Sequence, residues 1–177
     1  MMESLVLTII GTDRPGLVEK ISERVSDHGG NWEESRMSHL AGKFAGILLL
    51  TVPAENSNVL IQALQCLEND GLKVVIEKSE KGQSGDTYRL LKLELIGHDR
   101  PGIVKEVSHA IAKHHINMKE LITTCTSAPM SGEALFKATA RLQCPAEVLV
   151  PDLQKELENI AHDLMVEITL VDQAMTE

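Results

Sequence analysis

The sequence predicts an α+β protein built from two tandem copies of one unit, each with the element order β-α-β-β-α-β. Three observations predict it. The stretch GTDRPGLVEKI at 11–21 returns as GHDRPGIVKEV at 97–107. Each version follows an aliphatic run typical of a strand, and each opens a segment with the apolar spacing of a helix. Similarity at a fixed offset indicates an internal duplication, so the chain consists of two halves of one design.

Matching positions extend well beyond that turn. When the two turns are aligned, Asn31 falls on Asn117. The second copy then has six extra residues within 123–136, after which Phe44 matches Phe136. The two halves therefore share one order of segments and differ by an insertion.

The first copy is predicted to contain four strands and two helices. Its first run is rich in β-branched and aliphatic residues, as strands are. Pro15 suits the first turn of a helix, and Leu17, Ile21 and Val25 recur at helical spacing. The predicted elements are strands at 5–10, 31–39, 43–52 and 72–78, with helices from Pro15 onward and at 57–69.

The second copy repeats this order. Pro101 takes the place of the first proline, and Ile103, Val107 and Ile111 form the apolar stripe of the helix that follows. The predicted elements are strands at 88–96, 116–126, 133–144 and 164–171, with helices from Pro101 onward and at 151–162.

This order of elements is that of the split βαβ, or ferredoxin-like, fold, in which both helices lie on one face of a four-stranded antiparallel sheet. Right-handed crossovers leave almost no other topology. The polar, glycine-bearing stretch between the copies predicts a linker. We therefore expect a first domain at 1–80, a linker at 81–87 and a second domain at 88–177.

The two predicted sheets differ on the face turned away from the helices. In the second copy Lys137 and Arg141 alternate with apolar residues, which predicts a solvated outer face. The matching face of the first copy carries Val6, Ile47 and Leu49. Apolar patches of this kind mark interfaces, so we predict that the second copy or another subunit covers this face. Shielding by the linker alone is the alternative.

The charge of the chain argues against direct binding of nucleic acid. The net charge is −9, with eight Lys/Arg against twelve Asp/Glu in 1–85 and nine against fourteen in 86–177. Phosphate backbones attract clustered Lys and Arg, and neither half has such a cluster. The acidic balance agrees with a protein partner.

Cysteine content and apolar runs predict the compartment. Cys66, Cys125 and Cys144 are odd in number and far apart, which favours neither a disulfide framework nor a zinc site. An acidic residue precedes the short first apolar run, which predicts a strand and not a signal peptide. No apolar run approaches the roughly 20 residues of a membrane helix. We expect a cytoplasmic protein without membrane contact, metal or cofactor.

Seven histidines invite a catalytic interpretation, which their spacing does not support. His109, His114 and His115 lie where a helix of the second copy ends, and they lack the i, i+4 spacing of a metal-binding pair. Histidine near a helix C-terminus also suits the negative end of the helix, which favours a structural or surface role. No nucleophile elbow, P-loop or H-E-x-x-H motif is present. We predict that the protein is not an enzyme.

The repeated turn can bind a small zwitterion. The start of a helix presents unpaired N–H groups and a partial positive charge, which suit a carboxylate. Asp13 and Asp99 can take an ammonium group. Arg14 and Arg100 can pair with an acid. A carboxylate on backbone amides with an ammonium on a side-chain oxygen is the recognition pattern of a free amino acid.

A purely structural interpretation of the turn stays open. The aspartate can cap the helix, the proline can start it and the glycine can relieve crowding. Asn31 and Asn117 can be turn residues that open the second strand of each copy. Composition and spacing do not decide between a ligand site and a helix start.

The pattern GTDRPGLVEKI…GGNWEES…FAG, repeated as GHDRPGIVKEV…HINMKEL…FKA, resembles the ACT domain, a small ligand-binding regulatory module. The tandem arrangement, over essentially the whole chain, resembles the glycine cleavage system transcriptional repressor family. The resemblance implies that modules pair side by side or face to face and bind amino acids where a turn meets the second strand of a neighbouring module. The implied ligand-binding residues are Thr12, Asp13, Arg14, Pro15, Gly16, Leu17, Val18 and Asn31, and His98, Asp99, Arg100, Pro101, Gly102, Ile103, Val104 and Asn117.

The resemblance also implies a function. Regulators of this kind lack a helix-turn-helix and act by contacting a DNA-binding activator, and glycine alters that contact. We therefore expect an amino-acid-responsive repressor, with glycine as the favoured ligand, a protein partner and a homo-oligomeric state. The copies differ at Thr12 and His98, so both sites need not bind ligand. Two alternatives stay open: a ligand-independent interaction or oligomerisation module, and a regulatory subunit of an enzyme of amino-acid or one-carbon metabolism.

Overall fold

The computed structural model describes residues 1–79, 87–127 and 133–173. The chain divides into two compact units, Met1–Gln83 and Ser84–Glu177. The predicted linker at 81–87 lies outside the described residues except for Thr87, and so does part of the predicted insertion. The exact domain bounds therefore stay a prediction.

The first unit has the predicted order of elements, arranged as one antiparallel sheet with the strand order β2-β3-β1-β4. This is the ferredoxin-like order that right-handed crossovers impose. Its elements are β1 (Met2–Thr12), α1 (Leu17–Asp27), β2 (Asn31–Leu40), β3 (Lys43–Pro53), α2 (Ser57–Gln65), a short 3-10 helix (Cys66–Asp70) and β4 (Leu72–Ser79).

The second unit repeats this architecture with the strand order β6-β7-β5-β8, again antiparallel throughout. The predicted fold class is confirmed in both halves. Its elements are β5 (Tyr88–His98), α3 (Ile103–Lys113), β6 (Asn117–Ser127), β7 (Ala134–Pro145), α4 (Val150–Leu164) and β8 (Val166–Gln173).

The core of each unit lies between its sheet and its two helices. Leu17, Ile21 and Val25 of α1 are buried, as the helical spacing predicts, and they share one cluster with buried residues of α2 and the central strands. In the second unit α3 buries its own stripe in the same way. Because one helical stripe and one sheet face meet in each unit, the outer sheet faces are left for other contacts.

The starts of the first helices differ from the prediction. Pro15 and Pro101 lie outside the helices, which begin at Leu17 and Ile103. The residue before each helix is a glycine in the left-handed region, with φ of 87° and 99°. A left-handed residue cannot belong to a right-handed helix, so each proline shapes the turn and does not occupy the first helical position.

Two other bounds also differ. The second helix of the first unit ends as an α-helix at Gln65, and the 3-10 helix completes the predicted span. The last strand of the second unit starts at Val166, two residues later than predicted, because α4 continues to Leu164 and Met165 turns the chain at φ 52°.

The outer sheet face of the first unit is apolar at its centre. Ile47 is 50% exposed and Val75 is 59% exposed, while Val6 and Leu49 are half-buried. A shallow depression of about 340 Å³ lies over these strands and has Arg36 at its margin. The predicted covering of this face stays a prediction.

The outer face of the second unit carries charge at the matching positions. Lys92 Nζ lies 2.6 Å from Glu94 Oε1 on the central strand β5. Lys137 and Arg141 are exposed on the neighbouring strand β7, where they pair in register with Ile96 and Lys92. Charged side chains on this face favour water as its neighbour.

Candidate functional site

Each D-R-P-G turn is tied by a backbone hydrogen bond to the start of the third strand of its unit, at Gly42 just before β3 and at Ala134 in β7. The Asp13 amide donates a hydrogen bond to the carbonyl of Gly42 at 3.0 Å. The Asp99 amide donates in the same way to the carbonyl of Ala134 at 2.9 Å. Equivalent backbone bonds therefore hold the two aspartates at equivalent places.

The glycine of each turn exposes the start of the helix. Helical hydrogen bonding begins at Gly16 and Gly102, whose carbonyls accept from residues four positions later at 3.0 Å. Of the residues that the structure describes, none caps α1 or α3 through its side chain. The aspartates thus do not act as helix caps, and the amides of the first helical turn keep their ability to bind an anion.

The glycines are required by backbone conformation and not by crowding. A Cβ at Gly16 would find its nearest atom, a Glu19 carboxylate oxygen, at 3.7 Å. A Cβ at Gly102 would have no described atom within 4 Å. The positive φ at both positions is the constraint, since other residues adopt it at a cost.

A cavity of about 370 Å³ lies at the turn of the first unit. It contains five of the predicted ligand-binding residues, and sequence reasoning missed the other two. Thr12 lies beside it, where its Oγ1 accepts a hydrogen bond from Lys43 Nζ at 3.1 Å. The lining residues are Asp13, Arg14, Gly16, Leu17, Val18, Glu19 and Phe44.

Arg14 is held toward the 3-10 helix. Its guanidinium donates to the Asp70 carbonyl oxygen and lies 4.0 Å from the Asp70 carboxylate. The Lys20 ammonium donates to the same carboxylate at 2.9 Å, and this hydrogen bond is the main reason that the pKa of Asp70 lies below its ordinary value. To pair with a ligand's acid group, Arg14 must leave Asp70.

In each unit the structure places a further residue beside the turn that was not among the predicted ligand-binding residues. His39, opposite Phe44 near the end of β2, has its Nε2 at 3.6 Å from Asp13 Oδ2. Cys125 occupies the matching place on β6, opposite Phe136. The offset that aligns the two turns also aligns these two residues, and this was the signal available in the sequence.

Cys125 lies close enough to Asp99 for the aspartate to affect the pKa of its thiol. Although the residue is exposed overall, partial burial of its sulfur raises the pKa of the thiol, and the negative charge of Asp99 adds to that rise. Cys125 is therefore a neutral thiol near pH 7. In the same turn His98 Nδ1 lies 3.3 Å from a carboxylate oxygen of Glu133.

Asn31 and Asn117 do not meet the turn of their own unit. Thr12 at the turn pairs with Lys43, whereas Asn31 pairs with Thr51, eight residues further along β3. That separation is about 27 Å at the usual rise of a strand. Asn31 donates instead to Glu33 Oε1 at 2.9 Å. A site that includes both turn and asparagine therefore requires the asparagine of a neighbouring module.

The second unit has a small apolar cavity of about 20 Å³ between α3 and its sheet. Ile103 and Val104 of the predicted site line it, together with Met118 and Leu121. At the position of Met118 the first unit has Trp32, which packs against the core there. The volume suits about one water-sized group, so the units differ in packing as well as in charge beside the turn.

His114, which follows α3, has a structural partner on α4. His114 Nε2 lies 2.9 Å from Glu156 on α4, and Lys113 Nζ lies 3.0 Å from the same carboxylate. These contacts, with the hydrogen bond from Lys113 first, lower the pKa of Glu156. Among residues 1–79, 87–127 and 133–173, no group of three or more His, Cys, Asp or Glu is placed to hold a metal ion. Nor is any helix of this described part long and apolar enough to span a membrane.

Comparison with known proteins identifies a family model that matches the first unit and a regulator that is similar over most of the chain. The model of the ACT domain matches residues 3–77, which is nearly the whole first unit. The glycine cleavage system transcriptional repressor of Escherichia coli strain K12 is 25% identical over 90% of this chain and 85% of its own length. That relative is named as a regulator and not as an enzyme.

Of two further matches, one covers about half of the chain and the other covers nearly all of it. A UPF0237 protein of Methanopyrus kandleri is 32% identical over 51% of this chain and 97% of its own length. The crystal structure of a protein of unknown function from Galdieria sulphuraria has a TM-score of 0.88 and 29% identity, covering 98% of this chain and all of that one. The tandem architecture is therefore found in a solved relative.

Proposed function

We propose that the chain, whose residues 3–77 match the ACT-domain model and which is similar to the glycine cleavage system transcriptional repressors, is a non-catalytic, amino-acid-responsive regulator of transcription. One observation carries the proposal. Each unit presents the uncapped start of a helix next to an aspartate, and the same backbone bond fixes both aspartates. This is the geometry that a free amino acid needs.

The ligand chemistry follows from the charges at the turn. The amides of the first helical turn suit the ligand's carboxylate, and Asp13 or Asp99 suits its ammonium group. Glycine is our favoured ligand because it consists of these two groups alone and because the Escherichia coli relative is named after glycine cleavage. The remaining predicted residues of each turn shape the backbone around it.

Completing the site requires paired modules. Because Asn31 lies about 27 Å from the turn of its own unit, our proposal takes the asparagine from a neighbouring module, and we propose a homo-oligomer that supplies it. The apolar outer face around Ile47 supplies an interface of the kind that such assembly or a protein partner needs.

We propose that regulation passes through a protein and not through direct contact with DNA. The net charge of −9 does not favour binding of the chain to the negatively charged phosphate backbone of DNA. A DNA-binding activator is the proposed partner, and the cytoplasm the proposed location. Ligand acts by favouring one arrangement of modules, and coupling of the usual size changes partner affinity by roughly 5- to 150-fold.

Calorimetry with glycine and a panel of amino acids tests the proposal. We expect Asp13→Ala with Asp99→Ala to weaken glycine binding by roughly 10- to 150-fold, because each removes a charged hydrogen-bond acceptor. Asp163→Ala, at an exposed site on α4, is the matched control and should leave binding unchanged. Flat titrations of the folded, unmodified chain into the millimolar range would refute amino-acid sensing.

A ligand-independent interaction module is the second candidate, and one observation favours it. Arg14 is engaged by Asp70, and His39 lies against Asp13, so groups of the same unit contact two of the proposed ligand-binding side chains. Such a module would bind its protein partner with equal affinity with and without amino acids. It would also keep that affinity in the Asp13→Ala, Asp99→Ala double variant.

A further inference from the structure

The two units place chemically different side chains against the same aspartate. In the first unit His39 Nε2 lies 3.6 Å from the Asp13 carboxylate. In the second unit Cys125 occupies the matching register position, opposite Phe136, and Asp99 is one of the groups that raise the pKa of its thiol. Both residues occupy one position of the duplicated fold, near the end of the second strand. A basic side chain thus stands in one unit where an uncharged one stands in the other.

This difference changes how each aspartate meets a cation. A protonated imidazole at 3.6 Å neutralises the Asp13 carboxylate and repels an ammonium group that approaches it. A neutral thiol at this position adds no positive charge beside Asp99. The second unit therefore keeps a full negative charge for a ligand's ammonium group, and the first unit keeps it only while His39 is neutral.

We propose, resting on the amino-acid site proposed above, that His39 and Cys125 determine how the two units bind an α-ammonium group. His39 makes binding by the first unit weaken at acidic pH, and Cys125 spares the second unit that loss. Histidine is the side chain that changes charge between about pH 5 and 8, so the effect falls in a range that cells experience.

The other charged groups around the first turn do not produce this pH dependence. Lys43, Arg14 and Lys20 belong to side-chain types that stay cationic throughout the interval. Asp70 accepts from Lys20, which lowers its pKa and keeps it ionised. Glu19, on the rim of the cavity, belongs to a type that titrates below the interval. Among the charged groups around Asp13, His39 is the histidine, and histidine is the side-chain type whose charge changes within the interval.

The second turn has a histidine of its own, and its partner limits its effect. His98 Nδ1 is 3.3 Å from Glu133, so a charge gained on the ring is compensated there. Arg100 is half-buried in the same turn and belongs to a type that keeps its charge. We expect the second unit to show the smaller pH dependence of the two.

Calorimetry of the full chain with one site silenced measures each unit alone. The Asp99→Ala chain reports on the first unit, and the Asp13→Ala chain on the second. Between pH 7.5 and 5.5, at which free glycine stays a zwitterion, we expect glycine affinity of the first unit to fall about two- to fivefold, since the His39–Asp13 pair is exposed and screened. The second unit should change by less.

Exchanging the two side chains sharpens the test. His39→Cys in the Asp99→Ala chain should remove the pH dependence, and Cys125→His in the Asp13→Ala chain should create it. His39→Gln serves as a second variant, because it keeps a hydrogen-bonding group without the charge. His39 and Cys125 are both exposed on edge strands, so these substitutions should not prevent folding.

The outcomes separate this inference from the function on which it rests. If the first unit binds glycine equally well at both pH values, or if its pH dependence survives His39→Cys or His39→Gln, the inference is overturned while amino-acid sensing stands. If the unmodified chain binds no amino acid at either pH, both are overturned.

Discussion

The two units share a backbone and differ in what that backbone displays. Each has the same strand order, the same left-handed glycine before its first helix and the same amide-to-carbonyl bond at its turn. Their outer sheet faces differ, with Ile47 exposed in one and Lys92 paired with Glu94 in the other. Side chains beside the turns differ as well. The duplicated sequence therefore folds into two units with equivalent backbones, and their side chains give the two units different surfaces.

The largest expected effect tests whether the two units are also separate in stability. Leu7→Ala and Leu93→Ala remove matching, fully buried side chains, and each should cost about 2–5 kcal/mol of unfolding free energy. Trp32 is the only tryptophan and lies in the first unit, so its fluorescence reports on that unit. In urea, Leu7→Ala should shift the fluorescence transition, and Leu93→Ala should shift only the circular dichroism.

A shift of the Trp32 transition in both variants would contradict this expectation. It would mean that the two units unfold as one cooperative body, and the domain bounds predicted at 1–80 and 88–177 would then not mark independent folding units.

The fold could be predicted from the sequence because the duplication presents the same patterns in both halves of the chain. Apolar alternation in the strands and the stripe of Leu17, Ile21 and Val25 predict burial that the structure confirms. It failed at Pro15, since a proline beside a glycine is equally compatible with a first helical turn and with the bend before it. Only the φ of Gly16 decides between them, and single residues do not reveal φ.

The site was only partly predictable for a similar reason. The turn is contiguous in sequence, so its residues were found together. His39 and Phe44 reach it from β2 and β3, and which strand ends meet there depends on register. The same register places Asn31 at the other end of the sheet. The repeat offset, which pairs His39 with Cys125, was the cue that went unused.

The next effect concerns the outer faces. Ile47→Lys places a charge at the centre of the apolar face, and Thr139→Lys places one at the matching position of the second unit. We expect the first to weaken self-association by about 10- to 100-fold, or roughly 1.4–2.8 kcal/mol, because a buried charge is costly. The second should leave it unchanged. Sedimentation velocity over a concentration series measures both.

Equal weakening by the two substitutions would show that the apolar centre does not distinguish the faces. An unchanged association in the Ile47→Lys chain would show that this face is not the surface through which copies meet.

The turn glycines should give a smaller and symmetrical effect. Gly16→Ala and Gly102→Ala force a Cβ into the left-handed region, which costs about 1–2 kcal/mol each. Asn tolerates this region better than Ala, so Gly16→Asn and Gly102→Asn should recover part of the loss. Chemical denaturation followed by circular dichroism measures the four variants. If Gly16→Ala and Gly102→Ala destabilised the protein by different amounts, the two turns would differ in backbone conformation more than their similar φ values indicate.

The smallest effect concerns acid stability. Hydrogen bonds from lysines, Lys20 in the first unit and Lys113 in the second, hold the pKa values of Asp70 and Glu156 below their ordinary values. A carboxyl with a lowered folded-state pKa stabilises the fold above its unfolded pKa, and this contribution is lost as pH falls through the folded value. Asp70→Asn and Glu156→Gln should therefore destabilise their units slightly at pH 7, and the deficit should shrink as the pH falls below about 5, toward the lowered folded-state pKa values. Trp32 fluorescence follows the first variant and circular dichroism the second, with Glu68→Gln, beside Asp70 in sequence, as the control. A deficit that stays constant as the pH falls from 7 to 3 would mean that the carboxylates act through packing and not through charge.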